Sequence, residues 1–209
     1  MIAITPVAAL RGLLLTLLLA LAGCQPTPPA QTRIQGKTMG TYYVVTLSDS
    51  YPGGEPALKS DVESLLARMN KEISTYDPGS LISRFNQGPA NTPFAIPPAM
   101  AIIVQQGIDA GKLTDGKLDV TVGPLVNLWG FGPDKRPVKL PDGAAIAAAR
   151  HKVGIDKLTL TPQGDHFLLE KAIPDLYLDL STLGEGAASD EIAALLEHKG
   201  VHNYALLGC

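Results

Sequence analysis

Lys157-Leu158-Thr159-Leu160 and His166-Phe167-Leu168-Leu169-Glu170, separated by Thr161-Pro162-Gln163-Gly164-Asp165, read as a β-hairpin. A hairpin requires antiparallel pairing, so a purely parallel, doubly wound sheet is excluded. The remaining chain interleaves strands with helices. Gly40–Leu47 is rich in β-branched and aromatic residues and predicts a strand. Leu58, Val62, Leu65, Leu66, Met69 and Ile73 mark one face of an amphipathic helix, with Ser60 and Asp61 near its start. Ser74–Ser80 breaks that helix, and a short turn follows through Leu81 to Asn86. Pro97-Pro98 opens a second helix, with Met100, Ile103, Val104 and Ile108 inward. Ala144–Arg150 predicts a short helix and Leu176–Leu180 a strand. Ala187–Lys199 predicts a helix stopped by Gly200, with Ile192, Leu195 and Leu196 inward, and Asn203–Leu207 a last strand. The expected class is α+β, a mixed or antiparallel sheet with packed helices.

The ends set the organisation. Arg11 followed by the apolar stretch Leu13–Ala22 is a secretory signal, too short to span a bilayer. It ends in Leu21-Ala22-Gly23-Cys24, the small-residue pattern of bacterial lipoprotein processing, so cleavage before Cys24 and lipidation of its thiol are expected. The expected divisions are a signal peptide over 1–23, a Pro-rich lipid-proximal tether over 24–35 and one domain over 36–209. This places the protein in the bacterial cell envelope, facing the periplasm and held to the membrane by its lipid. Gln25 after the Cys leans the sorting toward the outer membrane. With Cys24 lipidated, Cys209 has no intramolecular partner, and no structural disulfide is expected. The 17 basic and 20 acidic residues give a net charge of −3 with no basic run, so nucleic acid is excluded as a partner class.

Two runs carry chemistry. Asp119-Val120-Thr121-Val122-Gly123-Pro124-Leu125-Val126-Asn127-Leu128-Trp129-Gly130-Phe131-Gly132 holds the single Trp. Val120–Val122 suits a short strand ended by Gly123-Pro124, and Leu125, Leu128 and Trp129 then recur at helical spacing. A wall of a pocket and a plain core segment both fit this pattern. Asp179-Leu180-Ser181-Thr182-Leu183-Gly184-Glu185-Gly186 lies between a strand and a helix. It reads either as a helix start with dipole-favoured acids, or as a turn of hard oxygen ligands suited to Mg²⁺ and phosphate. His151, His166, His198 and His202 have no metal spacing, and Arg84 reads as the partner of an acid in the fold.

Taken in order, Met39-Gly40-Thr41, Ser74-Thr75-Tyr76-Asp77-Pro78, Ser83-Arg84-Phe85-Asn86, Gly116–Leu125, Leu128–Gly132 and Asp179–Gly186 resemble the FAD:protein FMN transferases, the ApbE family of flavin-inserting lipoproteins. The resemblance runs from about Met39 to the end of the chain. It implies an α+β fold and FAD as substrate. It implies Mg²⁺-dependent transfer of the FMN half to a Thr or Ser hydroxyl of a partner flavoprotein, with release of AMP. It places Met39, Tyr76, Lys117, Leu118, Asp119, Asp179 and Glu185 at FAD contacts and Thr182 at a Mg²⁺ ligand. No residue is assigned a covalent or acid–base role.

The resemblance also implies departures. Ala187 stands where the family has a Tyr, and Leu207-Gly208-Cys209 where a Gly-Gly pair runs into a further strand. The family's other Mg²⁺ ligands lie beyond that strand. The chain is therefore expected to be a C-terminally truncated, N-terminal portion of such an enzyme, inactive by itself. Mg²⁺-dependent hydrolysis of FAD to FMN and AMP, and a non-enzymatic flavin-binding lipoprotein, are the alternative readings.

Overall fold

The computed structural model describes residues 31–133 and 139–208. The expected signal peptide, the lipidation site Cys24, most of the tether and Cys209 lie outside the described residues. The elements are β1 (Thr32–Thr38), β2 (Thr41–Leu47), α1 (Gly54–Ile73), α2 (Leu81–Gln87), β3 (Phe94–Ile96), α3 (Pro98–Leu113), α4 (Gly123–Leu128), α5 (Gly143–Arg150), β4 (Leu158–Gln163), β5 (His166–Lys171), α6 (Ser181–His198) and β6 (Tyr204–Leu207). The strands form two antiparallel sheets ordered β1-β2-β6 and β3-β5-β4. The α+β class with antiparallel pairing is observed.

The apolar periodicity located the core. Leu58, Val62, Leu66, Met69 and Ile73 of α1 are buried, as are Met100, Ile103, Val104 and Ile108 of α3 and Ile192 and Leu196 of α6. They meet Ile34, Tyr43, Val45 and Leu47 of the first sheet and Leu158 and Leu169 of the second. Gly36 is required where it stands. It lies opposite Tyr43 in the ladder, and a Cβ there would meet the buried Tyr43 ring at 2.5 Å.

Several elements differ from expectation, each for a local reason. β1 begins at Thr32, so residues 32–35 belong to the sheet rather than to the tether. Only Ile34 of that strand is buried, which leaves a polar edge strand with little sequence signature. The three-residue β3 is too short to carry one. α1 starts at Gly54, ahead of Ser60 and Asp61, and Asp61 instead accepts from Tyr51 Oη at 2.7 Å. Leu81–Gln87 is a helix rather than a turn, because Ser80 Oγ accepts from Ser83 N–H and caps it. The β4–β5 strands run closer together than expected. Pro162 pairs with Phe167, and the turn is Gly164-Asp165 alone, with Gly164 at φ 62°. Pro162 is tolerated because β4 is an edge strand.

The two expected strands nearest the site are not strands. Val120–Val122 curls, because Asp119 Oδ1 accepts from Thr121 N–H at 2.8 Å and Val122 N–H bonds Asp119 C=O at 3.1 Å. Leu176–Leu180 joins no ladder among the described residues beyond a single bridge from Tyr177 to Val122. Its backbone groups are taken by the Asn86 side chain and by Val120. α6 begins at Ser181, well ahead of Ala187, so the expected turn Asp179–Gly186 is mostly the first two turns of a helix. Its two glycines are helical. Gly184 is buried with space around it, its nearest neighbour being Ile73, and Gly186 faces open space.

Candidate functional site

Met39 and Gly40 join β1 to β2 with φ 48° and 80°. Positive φ at both central residues is the twist-matched hairpin turn that normally selects Asn or Gly. A methionine there is held against its own preference, at a cost of about 1–2 kcal/mol, and its side chain packs against the core.

Tyr76 projects from the turn between α1 and α2. That turn is pinned internally. Ser80 Oγ donates to Ser74 C=O at 2.6 Å, and Asp77 accepts from Gly79 N–H at 2.9 Å and Lys71 Nζ at 2.8 Å. The Lys71 ammonium and the Gly79 amide hold the Asp77 carboxyl below its ordinary pKa. Tyr76 is 64% exposed, and its hydroxyl donates to Phe131 C=O at 2.8 Å, which ties this turn to the end of the Trp run. Trp129 (42%) and Phe131 (72%) are also exposed. The Trp129–Phe131 end of the run therefore lies at the surface, while Val120 at its start is buried in the core.

Lys117, Leu118 and Asp119 follow α3. Thr114 Oγ1 accepts from Leu118 N–H at 3.1 Å and positions the turn. Lys117 is exposed and Leu118 packs against the core. Asp119 Oδ1 accepts both Thr121 N–H and Thr121 Oγ1–H, the latter at 2.6 Å, and Thr121 Oγ1 accepts Gly154 N–H at 2.7 Å. Asp119 thus has a turn-forming duty of its own, and its carboxylate is oriented by a fully buried threonine.

The segments that carry Asp119 and Asp179 are brought together. Asp179 N–H donates to Val120 C=O at 2.7 Å, so the two runs meet edge to edge. Gly123 permits the approach, since a Cβ on it would lie 2.8 Å from Tyr177 C=O. Asp179 Oδ1 accepts from Ser181 N–H at 2.9 Å and satisfies one free donor at the start of α6. Thr182 and Glu185 stand three residues apart on the first turns of α6, hence on one face, and both are exposed. The Glu185 carboxylate makes no hydrogen bond or ion pair among the described residues. No hydrogen bond among the described residues links the Met39 turn to either run.

Sequence reasoning missed the roles of the residues that hold these runs. Asn86, Thr121, Gly123 and Tyr177 carry the contacts between segments, and of these only Asn86 and the Trp-run residues fell inside a noticed motif. Among the described residues Arg84 meets no acid. Its guanidinium lies 5.6 Å over the Phe94 ring. A cleft of about 600 Å³ opens beside the site, lined among others by Asn86, Asn127, Leu128, Lys152 and Tyr177, and none of the expected FAD contacts lines it.

No group of three or more His, Cys, Asp or Glu side chains among the described residues could hold a metal ion. Magnesium wants six oxygen ligands in near-octahedral array. Thr182, one neutral hydroxyl on an exposed turn, does not make such a site, so the residues present do not fit the ion by themselves.

The model of the ApbE family matches residues 39–207. The chain belongs to the ApbE family. It is 42% identical over 200 residues to the FAD:protein FMN transferase of Klebsiella pneumoniae (strain 342), covering 93% of this chain and 57% of that protein. It is 40% identical over 201 residues to the protein of that name from Escherichia coli (strain K12), with the same coverage. The structure of the flavin transferase ApbE from Vibrio cholerae superposes with a TM-score of 0.80 at 41% identity, covering 86% of this chain and 57% of that one. The apo form of the Pseudomonas stutzeri flavinyl transferase ApbE superposes at 0.77 with 33% identity, covering 88% and 60%. The chain thus spans somewhat more than half the length of these ApbE relatives.

Proposed function

We propose that this chain forms the FAD-contacting face of an enzyme that transfers FMN from FAD to a Thr or Ser hydroxyl of a partner flavoprotein. The observation that carries this reading is the junction of Asp179 N–H with Val120 C=O, which sets Asp119, Asp179 and the exposed α6 face in one region. Family membership and the names of the relatives support it.

Each residue has a task that its chemistry allows. The Tyr76 ring and the Met39 thioether offer apolar contact to flat rings. The oriented Asp119 and Asp179 carboxylates accept hydrogen bonds from ribose, ribityl or adenine donors. Glu185 does the same from α6. In the reaction, the acceptor hydroxyl oxygen bonds to the FMN-side phosphorus, the bond to the AMP oxygen breaks, and the hydroxyl proton is lost to a base. These residues bind and orient, and none is placed to act as a nucleophile. Binding without transfer is the second reading, since no group of three or more His, Cys, Asp or Glu among the described residues could hold a metal ion.

Glu185→Gln tests the flavin reading cleanly, because the carboxylate has no partner in the fold among the described residues. Titration with FAD, followed by quenching of flavin fluorescence, should show affinity reduced about tenfold, or 1.4 kcal/mol. Unchanged affinity in both Glu185→Gln and Tyr76→Ala would refute the flavin reading. In-gel fluorescence of an acceptor domain incubated with the chain, FAD and Mg²⁺ distinguishes transfer from binding alone.

We also propose lipid anchoring at Cys24 and a periplasm-facing location, on the strength of Leu21-Ala22-Gly23-Cys24. Among the described residues no helix is long and apolar enough to cross a membrane. Mass spectrometry of membrane-extracted protein should find a diacylglyceryl-modified N-terminal Cys. A soluble product cleaved elsewhere would overturn the assignment.

A further inference from the structure

The Asn86 carboxamide serves the segment before Asp179 as a neighbouring strand would. Its Nδ2 donates to Leu178 C=O at 2.9 Å, and its Oδ1 accepts from Leu178 N–H at 2.8 Å. Leu178 lies 92 residues away in sequence and has its backbone bonded through this one side chain. Asn86 is itself fixed from behind. Its C=O, at the end of α2, accepts from Lys171 Nζ at 2.6 Å. Lys171 is only 1% exposed, and its ammonium also donates to Pro174 C=O at 2.8 Å and Leu176 C=O at 3.4 Å. It lies 5.6 Å over the Phe85 ring. All three ammonium donors are thereby used, the condition under which a buried lysine is tolerated. Burial pushes its pKa down, and Asp175 nearby pulls it partly back.

We propose that Asn86, braced by Lys171, is a positioning residue that sets Asp179 and the first turn of α6 in the geometry that contacts flavin. The proposal rests on the reading of Asp179 and Glu185 as FAD contacts. The physical route is short. Residue 178 is clamped by Asn86, and residue 179 is bonded to Val120 and caps α6 at Ser181. Loss of the Nδ2 donor leaves a buried carbonyl unsatisfied, and the cheapest relief is movement of the extended segment. That movement carries Asp179 away from Val120 and turns the face that bears Thr182 and Glu185.

The test uses the full chain with Asn86→Asp, which keeps shape and one acceptor but cannot donate, and with Lys171→Met, which leaves the carboxamide in place. Ile34→Val, in the core of β1, is the control for stability loss alone. Amide hydrogen exchange and FAD affinity are read well below the melting temperature. Asn86→Asp should speed exchange at residues 178–183 by about tenfold or more beyond any global change, and raise the FAD Kd about tenfold. Lys171→Met should show the same local pattern, and Ile34→Val neither effect. Uniform exchange across the chain, or local loosening with an unchanged Kd, would overturn the proposal. If the wild-type chain binds no FAD, the flavin reading fails first. The exchange pattern then decides the positioning claim, supported by loosening confined to 178–183 and refuted by its absence.

Discussion

Asp119 has a duty in the fold beside the one proposed for it in binding. Its Oδ1 holds the Thr121 turn through two hydrogen bonds, and the same group is a candidate partner for FAD. Asp119→Asn and Asp119→Ala therefore should not behave alike. The Asn variant keeps an acceptor at the Oδ1 position and should melt close to wild type. The Ala variant loses it and should be destabilised by about 1–2 kcal/mol. Both should weaken FAD binding if the charge is used, and thermal melts beside FAD titrations separate the two effects. Equal loss of stability in both variants would mean that the turn depends on the charge. Met39 offers a second residue-scale test. Asn suits its left-handed conformation, so Met39→Asn should change stability by less than about 1 kcal/mol, relieved strain offsetting lost packing. It should still weaken FAD binding, since the thioether is gone. Met39, Tyr76 and Asp119 could be named from motifs, because each motif is a local string. The duties of Thr121 and Asn86 could not, because their partners Gly154 and Leu178 are distant in sequence.

At the scale of elements, the approach of the Trp run to residues 176–179 depends on the absence of a side chain. Gly123→Ala would drive a methyl group into Tyr177, backbone oxygen included. Overpacking of this kind costs about 1–3 kcal/mol, and a backbone neighbour cannot rotate aside. The variant should melt lower, and FAD affinity should fall with it because Asp179 is displaced from Val120. A melting temperature equal to wild type would mean that the contact is not formed in solution. The helices were legible because their apolar faces recur at helical spacing, and Leu58 to Ile73 and Met100 to Ile108 are buried as that period requires. The elements near the site were less legible. β-branched Val120–Val122 suggested a strand, but Asp119 captured the local donors. Leu176–Leu180 has strand composition, but a side chain takes the place of a neighbouring strand. Gly184 and Gly186 suggested a loop, yet the Asp179 cap and the packing of Ala187 and Ala188 carry the helix through them.

At the scale of the molecule, the β1-β2-β6 sheet is closed by a carboxylate. Asp49, at the end of β2, accepts from His202 N–H and Asn203 N–H at 2.8 Å each and from the Asn203 side chain, and Ser48 N–H returns to Asn203 C=O. The His202 amide, then the Asn203 side chain and amide, hold the Asp49 carboxyl below its ordinary pKa. A carboxyl with a depressed folded pKa stabilises fully above its unfolded value, and that contribution is lost as the pH falls through the folded value. Below about pH 4 the β6 end should therefore loosen, and Asp49→Asn should flatten the acid limb of the stability–pH curve. Melting temperatures between pH 3 and 7 check this, and an unchanged acid limb in the variant would assign acid sensitivity elsewhere. The sequence by itself determined the α+β class, the helical faces of the core, the antiparallel hairpin, the family and the candidate contacts, since all of these reside in local periodicity or contiguous motifs. Only the tertiary structure decided that Trp129 and Phe131 lie at the surface, that the Asp179 backbone meets that of Val120 and that Asn86 stands in for a strand. Those outcomes depend on hydrogen bonds between residues far apart in the chain, and a linear pattern carries no record of which distant backbone group will lack a partner.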